Sequence, residues 1–355
     1  MKKPKVLFLN PAISPYRIGF YKKLSKLINV KFLFYFKDAP EAKGLNYEIL
    51  KGEYNFIGYN RGFNPELISK LFTEDYDIVV NSDPCSFAAH VAYPIVKLRK
   101  KKFITWAELW HYPNTTSAKI IKPYVKQVIK SSDVCIVAGT KAKELMEKFG
   151  AKKIMIAPNA SFDITKLKSY KINLPKRFIL QVGAIRKTDG IKELIKAFQK
   201  ANLKGVDLVF VGPEREYVYA QECRQLAKGY PIHFVEYIPW RYIKPYYEKC
   251  LFCIHNGVPI KGVDPVHSWE MSLNEAISAS KPIVATDIVG GAFDLIDESK
   301  NGYIIQAGNI VYLTKILKVM CSSNLKKMGK HSRKIYKQKH NHDFMAKKFV
   351  EAIFK

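Results

Sequence analysis

The sequence contains no apolar run approaching the roughly eighteen residues that a membrane-spanning helix needs, so no such helix is expected. Its basic opening, residues 1–5, leads into an apolar stretch too short for a cleaved signal peptide. Cysteine is sparse, with 6 scattered through 355 residues, which argues against a disulfide framework and for a reducing, cytoplasmic setting. Acidic residues are also few: 31 Asp+Glu face 59 Lys+Arg, a formal net charge of +28. That charge admits nucleic acid, an anionic membrane surface or phosphorylated small molecules as partners. No helix-turn-helix, zinc-finger or RNA-binding aromatic pattern occurs, so no specific nucleic acid is expected. A Ser-centred nucleophile elbow is missing as well. What is abundant is apolar side chain, 48% of the residues, which is enough for large cores and excludes disorder.

Short apolar runs alternate with helical patterns along the chain. Strands are expected at 6–10, 30–36, 78–81, 103–106, 134–139 and 154–157, with helices at 16–28, 87–98 and 141–149. Residues 166–176, with four lysines, Ser169, Asn173 and Pro175, lack a sustained apolar face and read as a linker. The alternation resumes with strands at 178–182, 208–211, 232–235, 251–255 and 283–286 and helices at 191–201, 215–227 and 269–280. Buried runs separated by helices imply parallel sheets, hence an α/β chain of two doubly wound Rossmann-like domains facing a cleft. The expected division is 1–165, linker 166–176, 177–335, and a helix at 336–355 packing back toward the first domain. Ligands in such sheets sit beyond the carboxyl ends of the strands.

Two passages carry the second domain's chemistry. The turn from Gly183 to Gly190 leads straight into a helix, and glycine, a helix N-terminus, Arg186 and Lys187 together suit a diphosphate. An ordinary strand-to-helix turn with two solvated bases is the alternative. The other passage runs from His267 to Asp287 and contains Asn274-Glu275-Ala276 and Lys281-Pro282-Ile283-Val284-Ala285. It resembles the retaining family 4 glycosyltransferases, "glycosyl transferases group 1", whose fold is GT-B. Further similarity lies in Val182-Gly183 through Phe198, in Ser132-Asp133 with Pro158-Asn159-Ala160, and in Ile288 to Gly291 with Lys300 to Tyr303. It covers about residues 130–305.

The resemblance implies a nucleotide-diphosphate sugar, UDP- or GDP-linked, as donor substrate, with no other cofactor. Glu275 aligns on the family's second helix glutamate and would accept the ribose hydroxyls; Asn274 and Met271 fall in the same donor segment. His267 takes the place of the first glutamate of the family pair. An imidazole there can hydrogen-bond a sugar hydroxyl but cannot serve as a carboxylate nucleophile, which leaves front-face displacement. Glu270 stands where a small residue is usual near the diphosphate. Ala184 and Asp189 replace a family Arg and Lys, whose charges are expected at Arg186 and Lys187. These departures keep open a weakly active or non-catalytic partner in glycan assembly, and a nucleotide-sugar epimerase on the same fold is a further alternative.

The first domain would serve the acceptor, a lipid-linked or cell-surface glycan hydroxyl. Arg17 follows the first strand, where it can meet a phosphate or orient an acceptor, although Ser14-Pro15 also reads as a plain helix start. Glu108 or His111, beside Trp106 and Trp110, can position or deprotonate a hydroxyl, and Asp83 is a further acceptor-side candidate. No metal site is expected. Cys250-Leu251-Phe252-Cys253 has zinc-like spacing but sits in an apolar run without a matching pair. The basic run at 97–102 and Lys119, Lys122, Lys126 and Lys130, flanked by an apolar band, suggest a face for an anionic membrane, peripheral at its inner side. A helix packed on its own sheet with a solvated basic face is the equal alternative.

Overall fold

The computed structural model describes residues 4–35, 42–51, 54–56, 59–263 and 267–355, with backbone alone at 54–56 and 59–63. Residues 1–3 of the basic opening and Phe36 of the expected second strand lie outside them. The chain divides into two compact units, residues 1–160 with 342–355, and residues 161–341.

The first unit contains β1 (Lys5–Asn10), α1 (Ile18–Leu27), β2 (Asn29–Phe34), β3 (Tyr47–Ile49), a hairpin of β4 (Tyr54–Phe56) and β5 (Tyr59–Phe63), then α2 (Glu66–Thr73), β6 (Ile78–Ser82), α3 (Phe87–Leu98), β7 (Lys102–Ala107), α4 (Thr116–Ser131), β8 (Val134–Val137), α5 (Thr140–Lys148) and β9 (Ile154–Ile156). Seven strands form a parallel sheet in the order β3-β2-β1-β6-β7-β8-β9. The central strands are buried on both faces, which is why they read as unbroken apolar runs. β3, the β4–β5 hairpin and α2 are additions to the sequence-based pattern. β3 is too short to show a period, and its residues are only half-buried.

The second unit contains β10 (Phe178–Val182), α6 (Ile191–Ala201), β11 (Asp207–Val211), α7 (Tyr217–Ala227), β12 (Ile232–Val235), α8 (Lys244–Lys249), β13 (Cys253–His255), α9 (Met271–Ser278), β14 (Ile283–Thr286), α10 (Ala292–Leu295), β15 (Gly302–Ile305), α11 (Ile310–Ser322) and α12 (Leu325–Lys339). Its six strands are parallel, in the order β12-β11-β10-β13-β14-β15. The closing helix, α13 (His342–Phe354), belongs to the first unit. Its Phe349 ring centroid lies 4.8 Å from Phe20, 5.2 Å from Trp106 and 6.0 Å from Phe8, inside the first unit's aromatic core.

The boundary falls at Ala160/Ser161, ahead of the lysine-rich stretch. Residues 161–165 are held in the second unit by side chains remote in sequence. The Ile164 N–H donates to Ser278 Oγ at 3.0 Å, and Arg333 forks onto both oxygens of Asp163 at 2.8 Å. The expected single helix at 269–280 begins only at Met271, because residues 267–270 are drawn into an extended path by contacts described below. The tail beyond 311 is three helices, broken at Ser323-Asn324 and His340-Asn341.

Candidate functional site

In the second sheet the strand order reverses between β10 and β13, and the crevice beyond the carboxyl ends at such a point is where doubly wound sheets take ligands. The turn after β10 is shaped by glycine. Gly190, at φ +58°, caps α6, and a Cβ on it would stand 2.1 Å from the Asn256 carbonyl oxygen beyond β13. Gly212, at φ +155°, ends β11 so close to the turn that its Cβ would fall 1.9 Å from Gly183 O. Asn256 Nδ2 donates to Gly190 O at 2.8 Å, which ties the turn to the end of β13.

Five ionisable side chains converge here: Arg186, Asp189, His255, His267 and Glu270. Asp189, 1% exposed, accepts from Arg186 Nε at 2.7 Å and from Nη2 at 3.2 Å. The Arg186 guanidinium, expected to serve a diphosphate, is therefore forked onto a carboxylate of its own turn, and its pKa is raised chiefly by that bond. Asp189, treated above as an unfavourable replacement, is the partner that holds Arg186. Lys187 is exposed. His255 ends β13, wholly buried, and its Nε2 lies 3.1 Å from His267 Nδ1 and 3.7 Å from both Asp189 Oδ1 and Glu270 Oε1.

His267 is 1% exposed, with Nε2 3.0 Å from the Thr188 carbonyl and Nδ1 2.7 Å from Glu270 Oε1. Both nitrogens of this ring, expected to meet a sugar hydroxyl, are thus engaged by Thr188 and Glu270. Burial opposes its positive charge, but the Glu270 bond and field outweigh that and raise its pKa. Burial also opposes the Glu270 anion. The charges and hydrogen bonds of His255, His267 and Arg186 more than compensate and hold it down at about 2. Desolvation, helped by His267, lowers the pKa of His255. Glu270 is therefore turned onto two histidines and its charge is matched inside the cluster. No side chain caps α9, which starts at Met271.

On α9, Glu275 is half-buried, its Oε1 accepting from Ser161 Oγ at 2.9 Å and its Oε2 from Tyr247 OH at 2.8 Å. Desolvation raises its pKa to about 7 against the pull of those two donors. Asn274, expected among the donor contacts, is fully buried. Its Oδ1 accepts the Ser161 N–H at 2.7 Å and its Nδ2 donates to His340 O at 3.2 Å. Both ends of this amide are consumed by main chain, so it is a brace. Ser161, Tyr247 and His255 escaped the sequence reading, since only the fold brings them to α9 or the turn. The spacing His267-x-x-Glu270 was visible as an i,i+3 pair.

In the first unit, Arg17, Asp83 and Glu108 follow the carboxyl ends of β1, β6 and β7, which are neighbours in the sheet. Arg17 is buried, with its guanidinium 4.4 Å from the Trp106 ring centroid and ion-paired to Glu108. Burial opposes the charge on Arg17, and Glu108 more than offsets it. The expected acid–base group is thus the counter-ion of the expected acceptor arginine. Asp83 adopts φ +64° and its Oδ1 accepts the Cys85 N–H at 3.0 Å, which shapes the turn into α3. His111 is exposed beside Trp110, the rings 6.5 Å apart.

Asp75-Tyr76-Asp77, an Asp-x-Asp pair, precedes β6 at its amino end, with Asp75 paired to Lys5 and Asp77 to Lys101. Cys250 and Cys253 are both buried, sulfurs 3.6 Å apart. The basic run at 97–102 is mostly spent locally. Lys97 pairs with Asp133 at 2.8 Å, Arg99 donates to Leu71 O at 2.6 Å, Lys101 lies 3.3 Å from Asp77, and Lys102 donates to Ile353 O at 2.9 Å. Among the described residues no helix is long and apolar enough to cross a membrane.

The second unit's geometry has relatives. The family model "Glycosyl transferases group 1" matches residues 163–339. A sequence described as an uncharacterized glycosyltransferase of Haemophilus influenzae is 27% identical over 233 residues, 62% of this chain and 61% of that relative. This chain thus spans under two thirds of the relative's length. Anabaena HepE in complex with UDP and glucose superposes with a TM-score of 0.78 at 15% identity, covering 99% of this chain and 100% of that one. The lipopolysaccharide outer core galactosyltransferase WaaB, in its apo form, gives 0.73 at 18% identity and 99% coverage of both chains. These likenesses identify the fold as GT-B, with one doubly wound sheet in each unit. Over residues 163–339 the chain is similar to the group 1 glycosyltransferases.

Proposed function

We propose that the protein is a retaining glycosyltransferase that moves a hexose or N-acetylhexosamine from a UDP- or GDP-sugar to a hydroxyl of a lipid-linked or cell-surface glycan intermediate. The observation that carries this reading is Glu275. Its half-buried carboxylate is held from behind by Ser161 and Tyr247, on a helix that opens beside the Gly183–Gly190 turn of a group 1 domain. Each carboxylate oxygen has a second acceptor direction for a ribose hydroxyl. The turn's backbone, the uncapped start of α9 near Met271, and Lys187 would face the diphosphate, with Arg186 contributing less because Asp189 already holds it. The solved HepE complex containing UDP and glucose supports a nucleotide sugar as donor.

No carboxylate stands at position 267, and His267 is enclosed, so front-face displacement is favoured, with the leaving phosphate helping to deprotonate the acceptor. In the first unit, Glu108 and His111 would meet the acceptor, and Arg17 would hold Glu108 in place. The setting proposed is cytoplasmic, peripheral at an anionic inner membrane face through α4, where Ile120 and Tyr124 are exposed among lysines. The deciding experiment is Glu275→Ala assayed for sugar-nucleotide hydrolysis and transfer. Loss of both with an intact fold is expected; full activity would overturn the reading.

A further inference from the structure

We propose that Asp189, His255, His267 and Glu270 form a binding site for one divalent cation of the zinc class, at the switch point of the second sheet. Asp189, His255 and His267 each bring a ligand atom within 4.8 Å of the others, and all three residues are buried. Glu270 Oε1 adds a fourth at 2.7 Å from His267 Nδ1 and 3.7 Å from His255 Nε2. Tetrahedral zinc with bonds of about 2.0–2.2 Å separates its ligand atoms by roughly 3.3–3.6 Å. The observed separations, 2.7, 3.1, 3.7 and 3.7 Å, bracket that edge.

The hydrogen bonding explains why a cation fits. The Thr188 carbonyl can only accept, so the His267 nitrogen 3.0 Å from it, Nε2, carries the hydrogen. In a neutral ring the other nitrogen, Nδ1, then presents a lone pair straight at the Glu270 carboxylate and at His255 Nε2. Two nitrogens and two carboxylate oxygens converge on one point, with Arg186 as the nearby fixed positive charge. A metal ion there would take the place of the proton shared between His267 and Glu270 and draw all four ligand atoms to one centre. The surrounding contacts are those that orient metal ligands elsewhere: a carbonyl on the far nitrogen of His267, and a guanidinium that binds Asp189 Oδ2 at 2.7 Å and reaches its Oδ1, more weakly, at 3.2 Å. Glu270, 22% exposed at its side chain, gives the route in. The ion would be structural, pinning the turn after β10, the end of β13 and the segment entering α9, and no transfer step is routed through it. The site is independent of the donor's identity and is read without an activity assay.

The test uses the full chain stripped with a chelator and titrated with cobalt(II), then zinc(II). Expected are one cobalt per chain at micromolar affinity, the visible absorption of a four-coordinate centre, its displacement by zinc, and a higher thermal midpoint with zinc. His255→Gln and His267→Gln should each weaken cobalt binding beyond the ten- to hundredfold cost of losing an outer contact. His233→Gln, which removes an exposed histidine paired with Asp207, should retain the spectrum. Wild-type protein that takes up no cobalt, or a band that survives in either buried-histidine variant, would overturn the site and leave a shared proton in its place. If those variants fail to fold, the wild-type titration decides alone, on stoichiometry and coordination spectrum.

Discussion

Tyr247 donates to Oε2 of Glu275 at 2.8 Å, while Ser161 holds Oε1 at 2.9 Å. The carboxylate most closely tied to the family resemblance is therefore anchored by a helix and a loop remote in sequence. Its ionisation, near pH 7, is set by a balance between burial and those two donors.

That balance predicts a pH dependence. Donor binding through Glu275 needs the anion, so kcat/KM should rise with pH through about 7. Tyr247→Phe deletes a bond that favours the anion and should move this limb to higher pH by about half to one unit. The sign for stability is opposite. Because the folded pKa lies above the unfolded one, the folded state binds more protons between pH 5 and 8, and unfolding free energy falls as pH rises. Glu275→Gln should remove that decline, on the order of 1–3 kcal/mol across the window after allowing for partial exposure. Denaturant unfolding at several pH values measures it, and an unchanged slope would assign the titration elsewhere.

Gly190→Ala should be among the most damaging small substitutions in the second unit. The residue sits at φ +58°, and the added Cβ would meet Asn256 O at 2.1 Å, a backbone atom that cannot swing away. Left-handed strain and the clash together should cost about 2–4 kcal/mol, read as a fall in denaturation midpoint. Gly229→Ala, with φ +83° but open space around its Cβ, should cost only about 1 kcal/mol. Equal losses would show that crowding is not the cause.

Arg17 and Glu108 should be coupled. Glu108→Gln leaves a buried guanidinium against Trp106 without its counter-ion, whereas Arg17→Met leaves a carboxylate that still reaches solvent. The first change should be the more destabilising, and a double-mutant cycle should return about 1–3 kcal/mol of coupling. A coupling near zero would mean that the pair is not maintained in solution.

Layer order and site differ in how much of them the sequence carried. β6, β7 and β10 are buried on both faces, so their apolar runs were plain, and α3 matched its expected bounds from Phe87 to Leu98. α9, expected from residue 269, starts two residues later at Met271. Apolar spacing continues through Trp269, but His267 and Glu270 are bound to partners at 188 and 255 that hold the chain extended. Likewise the unit boundary follows Arg333–Asp163 and Ser278–Ile164 contacts, which span over a hundred residues and leave no local trace in composition. Arg186 and Asp189 stand three residues apart, so the near-neutral charge of their turn is legible in the sequence.

The proposed membrane face narrows to α4, because Lys97, Arg99, Lys101 and Lys102 are engaged within their own unit. Two of the helix's lysines are also partly occupied: Lys122 lies 5.3 Å from the Tyr112 ring centroid and Lys126 lies 5.6 Å from that of Phe149. Lys119 and Lys130 are left exposed, and Lys119 with its neighbour Ile120, 73% exposed, sets a cation and an apolar contact side by side for a bilayer. Each lysine near an anionic surface is worth about 1 kcal/mol, so Lys119→Glu should weaken binding to phosphatidylglycerol vesicles roughly five- to thirtyfold. Ile120→Ser should reduce the part of the binding that survives high salt, since apolar insertion is unscreened while lysine contacts are not. Sedimentation with vesicles of graded anionic content separates the two. Wild-type protein that does not sediment with anionic vesicles at low salt would leave α4 a solvated basic helix, its apolar face turned to β8 through Val125 and Ile129 and to Val96 and Phe103 through Val128.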